Sequence, residues 1–375
     1  MERLTANSRN LDLLRSFAVL LVVGFHLAKL FNWKLETLQV TDIGLLGVMF
    51  FFVHTTLVIM FSLERQCAAS EKSLFLPFMV RRCFRIYPLA ILVVASVFLL
   101  HIPSDLQFGR FNLLHQSAGN LFANLLLIQN VTLQKANPGV LWSLPLEIQM
   151  YLALPILFRL TSRVKFSWGV IAFWWAAVGL WFLVGLVSGI LPLSEGGIRS
   201  PAEALLKFTR FGPCFLPGLI AYKLWRRPRV LPAWLWPLFL VICCGAFLQL
   251  SGRQPIETGW FICFGIGIGA SLFQEMPENA LAWLAHRVAR YSYGGYLFHY
   301  FAMWLAFAAC KTLNLGLQIA IFAVVLVSLS VLAYHAVEAP LIAVGVRISE
   351  KLKNTAFVSR VTESTAAHAA PICSE

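Results

Sequence analysis

Arg15 and His26 stand eleven residues apart in the apolar stretch NLDLLRSFAVLLVVGFHLAKLF, residues 10–31. On an α-helix, eleven steps of 100° return to within roughly 20° of the starting direction, with about 16 Å of axial rise. The two side chains therefore share one helix face. The stretch is long enough to cross a bilayer, for which ~20 residues suffice. A cation and a titratable ring on a lipid-facing stripe are costly, so this face is expected to line an internal cavity. The plainer alternative is that Arg15 snorkels to the headgroups while His26 hydrogen-bonds a neighbouring helix.

Four further groups carry chemistry. Glu147 lies in LWSLPLEIQMY, residues 141–151. If the chain crosses the membrane as described below, its depth agrees with that of His26 to within about one helical turn. A histidine oriented by a carboxylate is a general-base arrangement; the same pair also serves as a clip between two helices. In MVRRCFRIYP, residues 79–88, Arg82 and Arg85 are three apart and share a helix face. Guanidinium forks suit phosphate, although juxtamembrane arginines are also ordinary topology signals. RYSYGGYLFHY, residues 290–300, carries His299 toward the middle of a span. AYHAVEAPL, residues 333–341, places His335 and Glu338 near the inner surface, where Glu338 suits an ion pair with arginine.

The elements that must hold these groups are membrane helices. Of 375 residues, 59% are hydrophobic and only 13% charged, against about 25% charged in soluble domains; mean hydropathy is +0.75. The fold class is therefore all-α, a polytopic membrane bundle. Ten spans are expected at roughly 11–31, 43–63, 87–102, 139–160, 167–190, 208–225, 231–249, 258–273, 292–311 and 315–337. An even count puts both ends on one side. With the N-terminus inside, about two thirds of the 30 lysines and arginines fall in cytoplasmic segments, which fits N-in and C-in. That placement accounts for the net charge of +13 without nucleic acid. Eight scattered cysteines with no C-x-x-C pair suggest neither a zinc site nor a disulfide framework. The first apolar run is too long for a cleavable signal. Residues 1–346 form one membrane domain, and 347–375 a polar cytoplasmic tail without fixed structure.

Taken together, the motifs resemble those of the acyltransferase-3 family of bacterial integral-membrane O-acyltransferases. Arg15 to His26 matches its R-x10-H. GVMFFFVHTTLVI, residues 47–59, is similar to its G-V-x-x-F-F-V-x-S-G-F-L-I segment, and VRRCFRIYPL to its R-x-x-R-I-x-P. LWSLPLEIQMYL resembles W-S-L-x-x-E-x-x-Y, YSYGGYLFHY resembles Y-S-x-x-x-Y-L-x-H, and Glu338-Ala339-Pro340 the closing E-x-P. Two departures are Met49, where the family often has an acid, and Thr55-Thr56, where it has Ser-Gly.

The resemblance implies transfer of an acyl group, usually acetyl, from a cytoplasmic coenzyme A thioester to a hydroxyl of a surface carbohydrate such as lipopolysaccharide or exopolysaccharide, or of a related acceptor. It implies His26 as the catalytic residue acting with Arg15, and Arg82 and Arg85 for the donor. The phosphates of acyl-CoA are expected at the cytoplasmic mouth with Arg82, Arg85 and Arg290. His26 is expected to act as base, held by Glu147, or to carry the acyl group itself. Trp142, Ser143, Tyr151, His299 and Glu338 complete the expected site. A thioester is already activated, so no metal is called for. The expected location is the bacterial inner membrane, multi-pass. The competing class is a transporter that uses intramembrane His and Glu as a proton relay.

Overall fold

A computed structural model describes residues 8–33, 42–69, 74–103, 105–107, 110–113, 117–162, 167–187, 209–252 and 254–352. Its helices are α1 (Arg9–Leu30), α2 (Ile43–Ala69), α3 (Phe75–Leu99), α4 (Ala118–Leu125), α5 (Leu144–Ser162), α6 (Ser167–Val187), α7 (Gly212–Leu224), α8 (Leu235–Leu250), α9 (Pro255–Gly269), α10 (Ala280–Met303) and α11 (Leu315–Ala333). A short antiparallel hairpin, β1 (Asp105–Gln107) and β2 (Arg110–Asn112), pairs Leu106 with Phe111. Helix starts follow local chemistry. Ser8 caps α1, Ser117 α4, Asn279 α10 and Asn314 α11, each side-chain oxygen accepting a first-turn backbone N–H.

The core is a row of helices. α1 packs between α2 and α10, α10 against α11, α2 against α7, and α7 against α6 and α9. Small residues allow the closest approaches, as in membrane bundles generally. A Cβ on Gly47 would lie 2.6 Å from the Ala18 carbonyl oxygen of α1, and one on Gly218 would lie 2.4 Å from the Val53 carbonyl oxygen of α2. The outer faces of α6, α8 and α11 expose Trp175, Leu183, Ile242, Val324 and Val327, apolar surface suited to lipid. Among the described residues, six helices are long and apolar enough to cross a membrane, and Leu235–Leu250 is a shorter apolar one. α7 and α9, with 13 and 15 residues, fall short of the ~20 that a span takes. They stand where the spans at 208–225 and 258–273 were expected, so the count of ten is not reproduced. α7 is apolar on nearly all sides because it is buried within the bundle.

Expected boundaries move: the ninth span was placed at 292–311, yet α10 begins at Ala280. The third span was placed at 87–102, yet α3 begins at Phe75 and carries Arg81, Arg82 and Arg85 within the helix. Charges normally mark a span's end, but these are tolerated because Arg82 and Arg85 face an internal cavity. At the other end of the chain, α11 passes through a π-helical turn, Tyr334–Glu338, and the helix runs on to Leu352. Residues 347–352 of the expected tail therefore continue the helix; Arg81 holds them, bonding Ser349 Oγ at 2.8 Å. Residues 353–375 lie outside the described ones.

The start of α1 is fixed by a polar clasp. The Glu275 carboxylate accepts from Ser8 Oγ at 3.0 Å, the Asn10 amide at 3.0 Å and the Arg229 guanidinium at 2.6 Å. Asn10 also bonds the Gln274 carbonyl and the Met276 amide, and its own carbonyl accepts from the Trp236 indole at 3.0 Å. The position of α1, and with it that of Arg15 and His26, is set by these bonds at one end and by Gly47 along its length.

Candidate active site

α1, α2, α3, α5 and α10 surround a cavity of about 200 Å³. α1 contributes Arg15, whose Nε donates to Ser292 Oγ of α10 at 2.6 Å; Ser292 in turn bonds the Ala289 carbonyl. α3 contributes Arg82, Arg85 and Ile86. The Arg82 guanidinium lies over the rings of Phe78 and Tyr151, 5.5 and 5.6 Å from their centroids, a cation–π arrangement. α5 contributes Glu147 and Tyr151, joined by a hydrogen bond from the Tyr151 hydroxyl to the carboxylate. α2 contributes a polar stripe on an apolar helix: His54, Thr55, Ser62 and Arg65.

Charge dominates this space. Four arginines, 15, 65, 82 and 85, face it with one carboxylate, Glu147, in its wall. Glu338 is buried close enough to Arg15 and Arg85 to interact electrostatically with both. One of its carboxylate oxygens has no hydrogen-bond partner among the described residues. Its place on a π-helical turn fits the tendency of such turns to mark functional sites. A positive excess in a low-dielectric interior favours an anionic guest.

His26 does not line this cavity. It points from α1 toward α10, as Arg15 does, so the shared face inferred from the spacing is formed. Its Nδ1 lies 3.2 Å from the Tyr300 hydroxyl, and its ring centroid 5.0 Å from that of His299. From the β-hairpin, the Phe111 ring stands edge-on to Tyr300 at 6.1 Å. Tyr296 stands between the two regions. It lines the cavity, its hydroxyl donates to the Val140 carbonyl at 2.7 Å and meets the Ser143 hydroxyl at 2.7 Å, and its carbonyl accepts from His299 Nδ1 at 2.7 Å.

Of the expected site residues, Arg15, Arg82, Arg85, Glu147, Ser143 and Tyr151 gather round the cavity. His26 and His299 meet beyond Tyr296. The expected pairing of His26 with Glu147 is replaced: equal depth left their rotation about the helix axes open, and Glu147 turns to Tyr151 and the arginines. Arg290 is exposed and bonds His286, which bonds Asp12, so it stands apart from Arg82 and Arg85. Trp142 packs on Phe211 at 5.6 Å. Sequence reasoning passed over His54, Arg65, Tyr293, Tyr296 and Tyr300. The spacing of Thr55, Ser62 and Arg65, at i, i+7 and i+10, was the signal for a polar face on α2. Met49, the departure from the family's acid, is fully buried against Gly259 of α9 and does not face the cavity. Among the described residues, no cluster of three or more His, Cys, Asp or Glu is placed to hold a metal.

The chain is 26% identical over 338 residues to Nodulation protein 10 of Rhizobium leguminosarum bv. viciae, covering 80% of the chain and 84% of that relative. It is 31% identical over 187 residues to a putative acetyltransferase, ORF330, of Acidianus two-tailed virus, covering 48% of the chain and 49% of that protein. No solved structure matches. A family model described as an acyltransferase domain matches residues 8–335, from the cap of α1 to the turn that carries Glu338. With its long apolar helices, this chain is a multi-pass membrane member of the acyltransferase-3 family.

Proposed function

We propose that the protein is an O-acyltransferase of the bacterial inner membrane. It moves an acyl group, acetyl in the first instance, from cytoplasmic acyl-CoA to a hydroxyl of a surface carbohydrate or a related glycan or lipid, with both chain ends on the cytoplasmic side. The observation that carries this proposal is the cavity with four arginines in its wall. Arg82 and Arg85, with Arg65 beside them, pair with the phosphate oxygens of the donor. Arg15 lies deeper along the path, held by Ser292. Eleven residues of α1, about 16 Å of axial rise, separate Arg15 from His26. The slender, mostly neutral pantetheine arm, not the phosphates, spans that distance past Tyr296. There His26 takes the proton of the acceptor hydroxyl as its oxygen attacks the thioester carbonyl, or receives the acyl group and passes it on. The word acetyltransferase in the name of the ORF330 relative supports acetyl as the group moved.

His54 supplies a second reading of the base, favoured by one observation: it is the histidine in the cavity wall itself. In that case chemistry happens beside the arginines, and His26 serves only the packing of α1 on α10. Mass spectrometry of surface glycans from cells with the intact gene, the deletion, His26→Ala and His54→Ala tests both. Acyl groups lost in the deletion and in His26→Ala, but kept in His54→Ala, support the first reading; the reverse pattern supports the second. Unchanged glycans in the deletion would exclude a surface carbohydrate as the acceptor.

A further inference from the structure

His299 is a polar group that the mechanism above leaves unused. Its Nδ1 lies 2.7 Å from the Tyr296 carbonyl oxygen. A carbonyl only accepts, so Nδ1 carries the hydrogen, and in a neutral ring Nε2 then holds the unshared pair. That nitrogen is fully buried and has no hydrogen-bond partner among the described residues. Buried acceptors are nearly always satisfied, so an open one beside a second imidazole calls for an occupant. The second imidazole is His26, its centroid 5.0 Å away and its plane tilted by 31°. Tyr300 engages His26 at Nδ1, which leaves His26 Nε2 for chemistry. Two imidazole rings at this centroid separation come within hydrogen-bond reach when their Nε2 atoms face each other.

We propose that His299 is the positioning partner of His26, its Nε2 accepting the hydrogen bond of His26 Nε2–H once His26 has taken up a proton. The proposal rests on acyl transfer with His26 as base. In that step the acceptor oxygen bonds to the acyl carbon and its proton passes to His26 Nε2. The carbon–sulfur bond then breaks, and the proton goes to the departing thiolate, leaving the ester and free coenzyme A thiol. Between the two transfers the proton is shared by two imidazole nitrogens. A lone imidazolium is thus not stranded in a low-dielectric interior, where an unpaired charge is most costly. Glu147 is committed to Tyr151 and the arginines, so it is a neutral acceptor, His299, that receives the hydrogen bond of the protonated ring. The Tyr296 carbonyl fixes His299 in the required tautomer.

The test uses the full chain in membrane vesicles from cells that carry the natural acceptor, with radiolabelled acetyl-CoA as the probe. Label entering the glycan and lipid fractions is followed against donor concentration. His299→Ala should lower kcat by about 10²-fold, at the lower end of what a general base contributes, with KM for acetyl-CoA within about twofold of the parent protein. His299→Gln, whose side-chain oxygen reaches the place of Nε2, should recover a large part of that loss. An unchanged kcat in His299→Ala would overturn the proposal, as would a Gln variant as slow as the Ala variant. Loss of acetyl-CoA binding in both variants would also overturn it, because His299 would then be holding the fold. His26→Ala is run alongside. Full transfer in that variant contradicts the choice of His26 as base, and absence of acetyl-CoA binding to the parent protein contradicts acyl transfer, each independently of what His299 does.

Discussion

The cavity and the histidine pair share helices α1 and α10 and are built on opposite terms. The cavity is made of full charges, Arg15, Arg65, Arg82 and Arg85 against Glu147, drawn from four helices. The pair, His26 and His299, is made of groups that titrate, and it packs against the Tyr300 ring, which Phe111 meets edge-on. Fixed charge suits a site that must hold a polyanion, whereas a neutral imidazole suits a site that must gain and lose a proton. Tyr296 belongs to both regions, through its hydroxyl on one side and its carbonyl on the other. On the proposed reading, donor binding and proton transfer occupy separate compartments of one conduit, so substitutions should damage them separately.

The largest expected effect is at the pair. His26→Ala should cut transfer by about 10²–10⁴-fold, the usual worth of a general base, while the purified protein still binds an acyl-CoA analogue with parental affinity. Weaker analogue binding in that variant would erase the distinction between the regions. Next come the cavity arginines. Arg82→Ala and Arg85→Ala should each weaken analogue binding about 10- to 100-fold, from about 1.5–3 kcal/mol for a hydrogen bond to a charged group. Their loss should also flatten the salt dependence of binding; an unaltered dissociation constant in calorimetry would reduce these arginines to topology signals. A packing change should then harm both regions together. Gly218→Ala puts a methyl 2.4 Å from the Val53 carbonyl, pushing α7 off the α2 helix that carries His54 and Thr55. A loss of about 1–3 kcal/mol is expected, read as a lower unfolding temperature in detergent. The smallest effect belongs to Arg290→Ala. This arginine is exposed and bonded to His286, so donor affinity should change by less than about twofold.

How much of this was legible in the sequence follows from what each signal measures. Arg15 and His26 interrupt an apolar stretch at a helical spacing, so their common face was readable, and both point to α10. The pairing of His26 with Glu147 rested on depth alone, and depth says nothing about rotation around the helix axis. The start of α3 was misplaced because the arginines were read as a boundary, whereas an internal cavity lets Arg82 and Arg85 sit within the helix. Apolar content located α7 and α9, but it does not separate burial in protein from burial in lipid. His54 was absorbed into the run FFFVHTTLVI, where a single titratable residue among phenylalanines and valines is easily read as part of an apolar span.

The central claim, that the arginine cavity holds the donor while His26 performs the transfer, is tested most directly by equilibrium binding. A non-hydrolysable acetyl-CoA analogue is titrated onto the purified parent protein, His26→Ala and the Arg82→Ala/Arg85→Ala double variant. The expected result is parental affinity in His26→Ala and a loss of at least tenfold in the double variant. No binding to the parent protein, or equal binding to all three, would contradict the claim.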